Sequence, residues 1–419
     1  MSSRTWEIKG VARPIALVFV PFAGGYFLSY LYRSITAIIA GELTRDLGLS
    51  AADLGLLTSA YLLAFAAFQI PLGLLLDRFG PRRVQACLLF VAAVGAITFS
   101  LAESKGALFI GRALIGLGVA GGLMASLKAI TQWFPRERWP LVNGCFLAVG
   151  GFGAMAATTP VELLLNYTSW RGVFAGLSAA TVGVAAAILV LVPERATGTR
   201  RPGLADQVRG FRRIYRDRVF WRLAPVSVAC MATNLSILGL WIGPWLRDVA
   251  GLPGAAVADT LFATAAAMTV GFIAVGMIAD LLGRLGVRLT RVMGAGIVFF
   301  LLAQVAIVFE ADRTRLWPWL MFGLMANFTT LAYAHLSRHF PIEYVGRAST
   351  GLNVMVFSGA FAAQYAMGAI IDMWPALPQG GYADGAYQAA FGVFLALEVA
   401  TFIWFLLAGA RRQRAPARE

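Results

Sequence analysis

Residues 73–83 read Gly-Leu-Leu-Leu-Asp-Arg-Phe-Gly-Pro-Arg-Arg, and residues 77–83 of this sequence form a short polar stretch between two long apolar ones. The apolar segment before it covers residues near 54–76, and the segment after it covers residues near 84–102. Each has about the 20 apolar residues that a helix needs to cross the hydrocarbon core of a bilayer. The stretch therefore predicts a basic turn between two membrane-spanning helices.

The rest of the chain has the same character. Of its 419 residues, 59% are hydrophobic and 13% are charged, and the mean hydropathy is +0.73. A soluble domain is about half apolar and about a quarter charged. Apolar runs without period-two alternation favour helices over a membrane β-barrel. We predict an all-α membrane protein with twelve spans, near residues 15–40, 54–76, 84–102, 107–131, 141–165, 172–192, 223–246, 258–280, 291–309, 316–337, 348–373 and 387–409.

The distribution of Lys and Arg predicts how these spans are oriented. The N-terminus, the even-numbered loops and the C-terminus hold 26 of the 35 basic residues, the odd-numbered loops hold six, and three lie inside spans. Basic residues accumulate on the cytoplasmic side of a membrane, so we expect both termini there, in a monomeric multi-pass protein of a bacterial inner membrane. This bias also explains the net charge of +14 without a nucleic-acid partner.

The two halves of the chain are related. The pattern of residues 73–80 returns at residues 276–283, a shift of 203, and that of residues 134–137 returns at residues 340–343, a shift of 206. Two six-span halves with the same sidedness predict parallel, pseudo-symmetric repeats about an axis normal to the membrane. Such repeats can rock about a substrate site held between them near the midplane.

The repeat defines the expected domains. Residues 1–192 form one six-helix bundle, residues 193–222 form a cytoplasmic Arg-rich linker, and residues 223–419 form the second bundle. Within the linker, residues 204–218 are either a basic amphipathic helix on anionic lipid or a solvated connection.

Residues 73–83 resemble the signature loop between spans 2 and 3 of the major facilitator superfamily, and residues 111–118 resemble the Arg-containing motif of its span 4. The resemblance covers residues near 14–410 and implies the fold of that superfamily and a secondary transporter. It implies that the glycines of the loop allow tight packing and turning and that its charges latch the cytoplasmic side. The expected gating residues are Gly73, Asp77, Arg78, Gly80, Arg82, Arg83, Arg112, Asp280, Gly283 and Arg284.

A finer resemblance concerns the substrate. Residues 30–33 read Tyr-Leu-Tyr-Arg and are followed by Glu42, which is similar to the organic-anion and organophosphate branches of the superfamily. In those branches an Arg of span 1 contacts the substrate anion and span 4 often carries a basic residue, which implies these roles for Arg33 and Lys128. Gln69 stands where some phosphate-ester exchangers have a basic residue, which favours a less highly charged anion, such as a carboxylate.

Charge inside the membrane points to the same residues. A buried cation at the bilayer centre is unfavourable unless it faces protein, water or a partner. Tyr26 and Tyr30 share a helix face with Arg33, and a guanidinium with phenol hydroxyls suits a carboxylate. Two alternatives stay open: Arg112 hydrogen-bonds carbonyls of a neighbouring helix, and Lys128 snorkels towards the cytoplasm.

The second half supplies neutral polar candidates for substrate binding. They are Asn234, Trp241, Asn327, Asn353 and Gln364. Interhelical hydrogen bonding explains each of them as well.

Titratable groups inside spans are few. Glu162 and His335 are the candidates for proton coupling, and Glu162 could instead pair with Arg33, whereas Glu398 is expected to be peripheral. Two histidines, His335 and His339, without a well-placed carboxylate do not make a metal site. No P-loop, Rossmann or nucleophile motif occurs, so we expect no enzyme activity, cofactor or metal.

Together these observations predict a secondary active transporter that moves a small organic anion, a carboxylate, by alternating access. Coupling to H⁺ or exchange would supply the driving force. Other cargoes remain open: efflux of amphipathic compounds, or uptake of nitrate or an amino acid. A membrane sensor or scaffold that binds its ligand without cycling is the alternative of another class.

Overall fold

The computed structural model describes residues 15–135, 138–194, 212–309, 315–378 and 380–414. All regular secondary structure in these ranges is helical. The chain divides into two compact units. Unit 1 comprises Met1–Leu49 and Ala60–Arg201, and unit 2 comprises Ser50–Ser59 and Pro202–Glu419. Most of the predicted linker, residues 195–211, lies outside the described ranges.

Unit 1 contains eight helices, of which α3 begins in unit 2. Within the described ranges they are α1 (Val20–Ser34, preceded by a π-turn at Ile15–Phe19), α2 (Thr36–Leu47), α3 (Ala51–Ser100), α4 (Lys105–Val119), α5 (Gly122–Trp133), α6 (Trp139–Ala156), α7 (Thr159–Leu165) and α8 (Trp170–Leu191).

Helix α3 breaks where the loop motif lies. Gly80 has φ 78° and ψ 162° inside an otherwise helical segment, and Pro81 follows it. A positive φ strains any residue with a Cβ, whereas glycine adopts it freely. The glycine in the motif therefore allows the chain to turn between two spanning helices.

In the described part of unit 2, eight helices follow from residue 218 onwards. They are α9 (Arg218–Ser236, followed by a π-turn at Ile237–Trp241), α10 (Ile242–Asp248), α11 (Gly254–Arg284), α12 (Leu289–Val308), α13 (Trp317–Ala326, followed by a 3₁₀ turn at Asn327–Thr330), α14 (Leu331–His339), α15 (Ile342–Ile371) and α16 (Asp384–Arg414).

The prediction of an all-α membrane protein is confirmed. Among the described residues, eleven helical segments are long and apolar enough to cross a membrane, and three of them join consecutive helices: α4 with α5, α6 with α7, and α9 with α10. The region of the tenth predicted span, 316–337, is divided into α13, the 3₁₀ turn and α14, each too short by itself to cross a bilayer. The number twelve and the cytoplasmic position of both termini therefore stay predictions.

Small residues set the closest approaches inside each unit. In unit 1, a Cβ on Gly153 of α6 would lie 2.2 Å from the Phe27 carbonyl oxygen of α1. In unit 2, a Cβ on Gly359 of α15 would lie 2.8 Å from the Val228 side chain of α9. Close backbone packing over small residues is typical of membrane helices, and it brings the polar side chains of α1 and α15 against their neighbours.

Candidate functional site

Arg33 lies near the end of α1 in an aromatic surrounding. Its Cζ is 4.8 Å from the centroid of the Tyr30 ring and 5.3 Å from that of the Phe65 ring. The Tyr61 side chain accepts a hydrogen bond from its guanidinium. Ring faces attract a cation through their quadrupole, with about 0.5–2 kcal/mol per contact. These neutral contacts hold the guanidinium in place within unit 1.

Tyrosine hydroxyls gather around the same point. The Tyr26 hydroxyl donates to the Tyr30 hydroxyl at 3.4 Å, and the Tyr26 ring stacks on Phe146 with centroids 4.7 Å apart. A Cβ on Gly150 would lie 2.6 Å from the Tyr26 ring, so the glycine gives this ring its room. Arg33, Tyr26 and Tyr30 thus lie together in unit 1, as their spacing on one helix predicts. Their role in substrate binding stays a prediction.

Two members of this cluster were missed from the sequence. Tyr61 and Phe65 lie on α3, four residues apart, and Gln69 follows four residues later, so the three share one helix face. That stripe was the available signal. Gln69 itself donates to the Ala120 carbonyl at 3.2 Å, which ties α3 to the end of α4.

Lys128 is bound to the loop motif. Its Nζ lies 2.5 Å from Oδ1 of Asp77 and 2.8 Å from the Leu76 carbonyl oxygen. Both of these partners lie on α3 close to the turn at Gly80, and neither belongs to the cluster around Arg33. The predicted substrate role of Lys128 stays untested, and in this structure its charge is balanced by a carboxylate.

The arginines of the motif have a different acidic partner. Arg82 and Arg83 both form ion pairs with Glu194, at 3.6 Å for Arg82, and Arg82 also donates to the Leu189 carbonyl. Asp77 is therefore joined to Lys128, whereas Arg82 and Arg83 are joined to the segment that follows α8. The Arg78 guanidinium lies over the Phe79 ring at 5.0 Å.

The remaining predicted gating residues make few contacts. Asp280 and Arg284 form an exposed ion pair at 2.8 Å within α11. No heavy atom lies within 4 Å of a Cβ built on Gly73 or Gly283. Within the described structure these two glycines therefore do not mark close helix packing.

Arg112 is enclosed by protein. It is 1% exposed, donates to the Tyr32 carbonyl at 2.8 Å and to the Thr36 hydroxyl, and lies over the Phe99 ring at 5.1 Å. This is the carbonyl-bonding arrangement that the sequence left open as the alternative. Arg112 holds α4 against α1 and α2.

The polar candidates of unit 2 hydrogen-bond across helices. The Trp241 indole donates to the Gln364 carbonyl at 3.3 Å, and the Asn327 amide donates to the Met268 carbonyl at 2.9 Å. Asn353 accepts from the Tyr333 hydroxyl at 3.3 Å.

Two side-chain amides of unit 2 stand apart from these. Nδ2 of Asn234, and both polar atoms of the Gln364 side-chain amide, are buried without a hydrogen-bond partner in the described part of the chain. The roles of these residues in substrate binding stay predictions.

The acidic candidates have separate surroundings. Burial raises the pKa of the Glu42 carboxyl, and the nearby carboxylates of Asp46 and Glu162 add to this rise while Arg45 opposes it. Glu162 thus lies near Glu42 at the start of α7. The expectation that Glu398 is peripheral is wrong: its side chain is 0% exposed and accepts a hydrogen bond from the Gln304 amide. The described residues contain no group of three or more His, Cys, Asp or Glu that could hold a metal ion.

Among known protein families, the family model for the Major Facilitator Superfamily matches residues 22–325, which is most of the chain.

Several curated proteins are similar over part of their length. The probable sulfoacetate transporter SauU of Cupriavidus necator is 31% identical over 162 residues, which cover 38% of this chain and 37% of that protein. The nitrate/nitrite transporter NrtP of a Picosynechococcus species is 30% identical over 162 residues, 38% of this chain and 29% of NrtP. The hexuronate transporter of Escherichia coli K12 is 31% identical over 169 residues, 40% of this chain and 38% of that protein. The matched segments thus span less than half of each relative.

Solved structures share the fold. A bacterial homologue of the human lysosomal transporter Spinster, in an inward-facing and unoccupied conformation, superposes with a TM-score of 0.72 at 17% identity, over 93% of this chain and 94% of that one. The nucleoside transporter NupG superposes with a TM-score of 0.71 at 15% identity, over 93% of this chain and 98% of that one.

Proposed function

The chain belongs to the major facilitator superfamily, and from this we propose that it is a secondary active transporter of a small organic anion, a carboxylate. It acts by alternating access, as a monomer in a bacterial inner membrane. The observation that carries the proposal is the setting of Arg33, whose guanidinium lies among Tyr30, Phe65 and Tyr61.

The chemistry of that setting suits a carboxylate. A guanidinium presents two parallel N–H donors to a carboxylate, and hydrogen bonds to a charged acceptor are about twice as strong as neutral ones. The Tyr30 hydroxyl, which accepts a hydrogen bond from Tyr26, adds a donor on the same helix face. Aromatic rings hold the cation without cancelling its charge. The cluster therefore combines one fixed positive charge with aromatic rings and tyrosine hydroxyls.

The names of the relatives support the anion class. Sulfoacetate, nitrate, nitrite and hexuronate are all negatively charged solutes, and the proteins named for them match 38–40% of this chain. These solutes differ in size and in the chemistry of their charged groups. The property that they share is a negative charge.

The pairing of Lys128 narrows the expected charge of the solute. The Asp77 carboxylate balances the positive charge of Lys128. Of the two basic residues predicted for the site, Arg33 is therefore the one that binds the anion. One cation compensates one negative charge, which favours a monocarboxylate over a phosphate ester.

A thermal-shift screen of the purified protein tests this proposal. We expect monocarboxylates to raise the melting temperature of the parent protein and to lose this effect in Arg33→Gln. Arg45→Gln is the matched control, because Arg45 lies in the same unit on α2, is exposed, and donates to the Gly41 carbonyl at 3.4 Å. Equal stabilisation of the parent and Arg33→Gln by every carboxylate would overturn the assignment.

Nitrate is the second candidate cargo, favoured by the similarity to NrtP. The same screen separates the two. Stabilisation by nitrate and nitrite, lost in Arg33→Gln, with no response to carboxylates, would assign the smaller anion. A response to carboxylates with none to nitrate supports the first proposal.

The driving force is proposed to be H⁺ symport or anion exchange. Proteoliposomes that hold a pH-sensitive dye distinguish them. Symport acidifies the lumen when the anion enters, whereas exchange requires anion inside the vesicle and leaves the luminal pH unchanged.

A further inference from the structure

Unit 2 contains a cavity that the proposed transport site does not use. Its volume is about 1010 Å³, and it lies where one end of α9, the start of α12, the end of α14 and the end of α16 meet. None of the predicted substrate-binding residues lines it. His335, which the sequence suggested for proton coupling, is part of its wall.

The polar part of this cavity is strongly basic. Four arginines and two histidines line it, and its described lining contains no Asp or Glu. Arg222 donates to the Phe405 carbonyl at 3.3 Å and lies over the Phe405 ring at 5.0 Å. His339 is paired with Asp217 at 3.0 Å. The arginines are Arg222, Arg288, Arg291 and Arg338.

The beginning of α12 adds to the positive potential. Leu289 and Thr290, its first two residues, line the cavity, and no side chain caps this helix start. The first backbone N–H groups of a helix have no partner within the helix and carry about half a positive charge together. Phosphate groups bind at such positions. Arginine side chains and a helix start thus face one space.

The other wall of the cavity is apolar. On α12, Gly294, Ala295 and Val298 follow Arg291 at helical spacing, so the wall extends about two turns from the basic end. On α16, Phe402 and Leu406 line it. Val298 is 41% exposed and Leu406 is 51% exposed. A ligand that fits has an anionic head and an apolar tail.

Two exposed tryptophans lie next to residues that line the basic end of the cavity. Trp221 precedes Arg222, Trp404 lies between Phe402 and Phe405, and both tryptophans are exposed. The Trp404 indole donates to the Trp221 carbonyl at 2.9 Å. Exposed tryptophans concentrate at the boundary between hydrocarbon and water. We therefore expect the arginines of the cavity at the depth of lipid headgroups.

We propose that this cavity binds an anionic phospholipid of the surrounding leaflet, with its phosphate against the arginines and one acyl chain along α12 and α16. A guanidinium pairs with phosphate oxygens through two parallel hydrogen bonds, and basic spaces between membrane helices bind lipid headgroups. Bound lipid stabilises the contact of α12 with α16. The lipid is a structural ligand rather than the transported solute.

Native mass spectrometry of the full chain tests this site. The protein is released from nanodiscs of phosphatidylglycerol and phosphatidylcholine in equal amounts, and retained lipids are counted. We expect the parent to retain phosphatidylglycerol in preference to phosphatidylcholine. In Arg288→Gln/Arg291→Gln the retained phosphatidylglycerol falls by at least about tenfold, with phosphatidylcholine unchanged.

Two further variants keep the test decisive. Arg338→Gln changes a different helix and is expected to reduce retention as well, which guards against misfolding of the double variant. Arg284→Gln is the matched control, since Arg284 is 77% exposed, pairs with Asp280 and does not line the cavity. An equal loss in Arg284→Gln would mean diffuse surface attraction and would overturn the proposal.

Inorganic phosphate separates a lipid from a soluble anion. We expect phosphatidylglycerol, but not inorganic phosphate at millimolar concentration, to raise the melting temperature of the parent protein and to lose this effect in Arg338→Gln. Stabilisation by inorganic phosphate that is as large as that by lipid, and lost in the same variants, would assign the cavity to a soluble phosphate and contradict the lipid proposal.

Discussion

The Nζ of Lys128 on α5 lies 2.5 Å from Oδ1 of Asp77 on α3. A lysine that the sequence suggests for substrate binding is thereby joined to the acidic residue of the loop motif. Half of the Asp77 side chain is exposed, and an ion pair at such a site contributes little to stability, about 0–1 kcal/mol. The pair is therefore better placed to influence conformation than to hold the fold together.

The Lys128–Asp77 ion pair is expected to affect the rate of transport rather than anion binding. We expect Asp77→Asn to slow transport while the affinity for the anion stays within about twofold, because the carboxylate contacts Lys128 and not the Arg33 cluster. Lys128→Met should slow transport similarly, and the double variant should be no slower than either single variant. Uptake into proteoliposomes and equilibrium binding measure the two quantities. Loss of anion binding in Lys128→Met would assign Lys128 to the substrate instead.

The position of Tyr61 depends on the absence of a side chain at Gly116. A Cβ on Gly116 of α4 would lie 2.2 Å from the Tyr61 carbonyl oxygen, so Gly116→Ala must displace the part of α3 that carries Tyr61 and Phe65. We expect a lower melting temperature, from about 1–3 kcal/mol of overpacking, together with weaker anion binding. Gly176→Ala is the control, because no heavy atom lies within 4 Å of a Cβ there. If Gly116→Ala folds and binds the anion with unchanged affinity, Tyr61 does not belong to the binding site.

Arg112 is expected to stabilise unit 1 rather than to bind the anion. Arg112→Gln removes donors to the Tyr32 carbonyl and the Thr36 hydroxyl. Leaving buried acceptors without partners costs about 1–3 kcal/mol. We expect a lower melting temperature and lower yield, with anion affinity of the folded fraction unchanged. A variant of normal stability that fails to bind the anion would show that Arg112 serves the substrate.

The Asp372 carboxylate makes the stability of the start of α3 dependent on pH. Asp372 accepts from the backbone N–H groups of Ala51 and Ala52, both at 3.1 Å, and from the Tyr382 hydroxyl at 2.5 Å. Burial raises the pKa of Asp372, but these hydrogen bonds and one from Ser50 outweigh it and hold the pKa below the ordinary 3.8. A lowered pKa stabilises the fold above 3.8, and this contribution is lost as the pH falls below it.

Asp372→Asn should therefore lower the melting temperature at neutral pH. The difference from the parent should shrink as the pH falls below about 4. Asp280→Asn, at an exposed acid, is the control and should show no such convergence. A difference that stays constant down to acid pH would contradict this role of the Asp372 carboxylate.

The spans could be predicted from the sequence because lipid imposes one requirement along the whole chain. A helix needs a long apolar run, and this is visible without knowledge of its neighbours. In the tenth predicted span, the apolar run does not predict how the helix is divided. Asn327–Thr330 forms a 3₁₀ turn between α13 and α14, and the apolar composition around it gives no sign of that change.

The contacts of the site could be predicted only within one helix. Tyr26, Tyr30 and Arg33 share a face of α1, and helical spacing was sufficient to group them. Tyr61 reaches Arg33 from α3, and Asp77 reaches Lys128 from a position 51 residues away. Contacts of this kind depend on how helices rotate against each other, which small residues such as Gly116 decide and spacing along one helix does not.

We propose that the Arg33 guanidinium binds the charge of the transported anion. The decisive experiment is a calorimetric titration of the parent, Arg33→Gln and Arg45→Gln with the most stabilising monocarboxylate and with its neutral amide. We predict that Arg33→Gln weakens carboxylate binding by about 2–5 kcal/mol, that Arg45→Gln leaves it unchanged, and that the amide binds weakly to all three. If carboxylate affinity in Arg33→Gln stays within about twofold of the parent, the Arg33 guanidinium does not bind the charge of the anion.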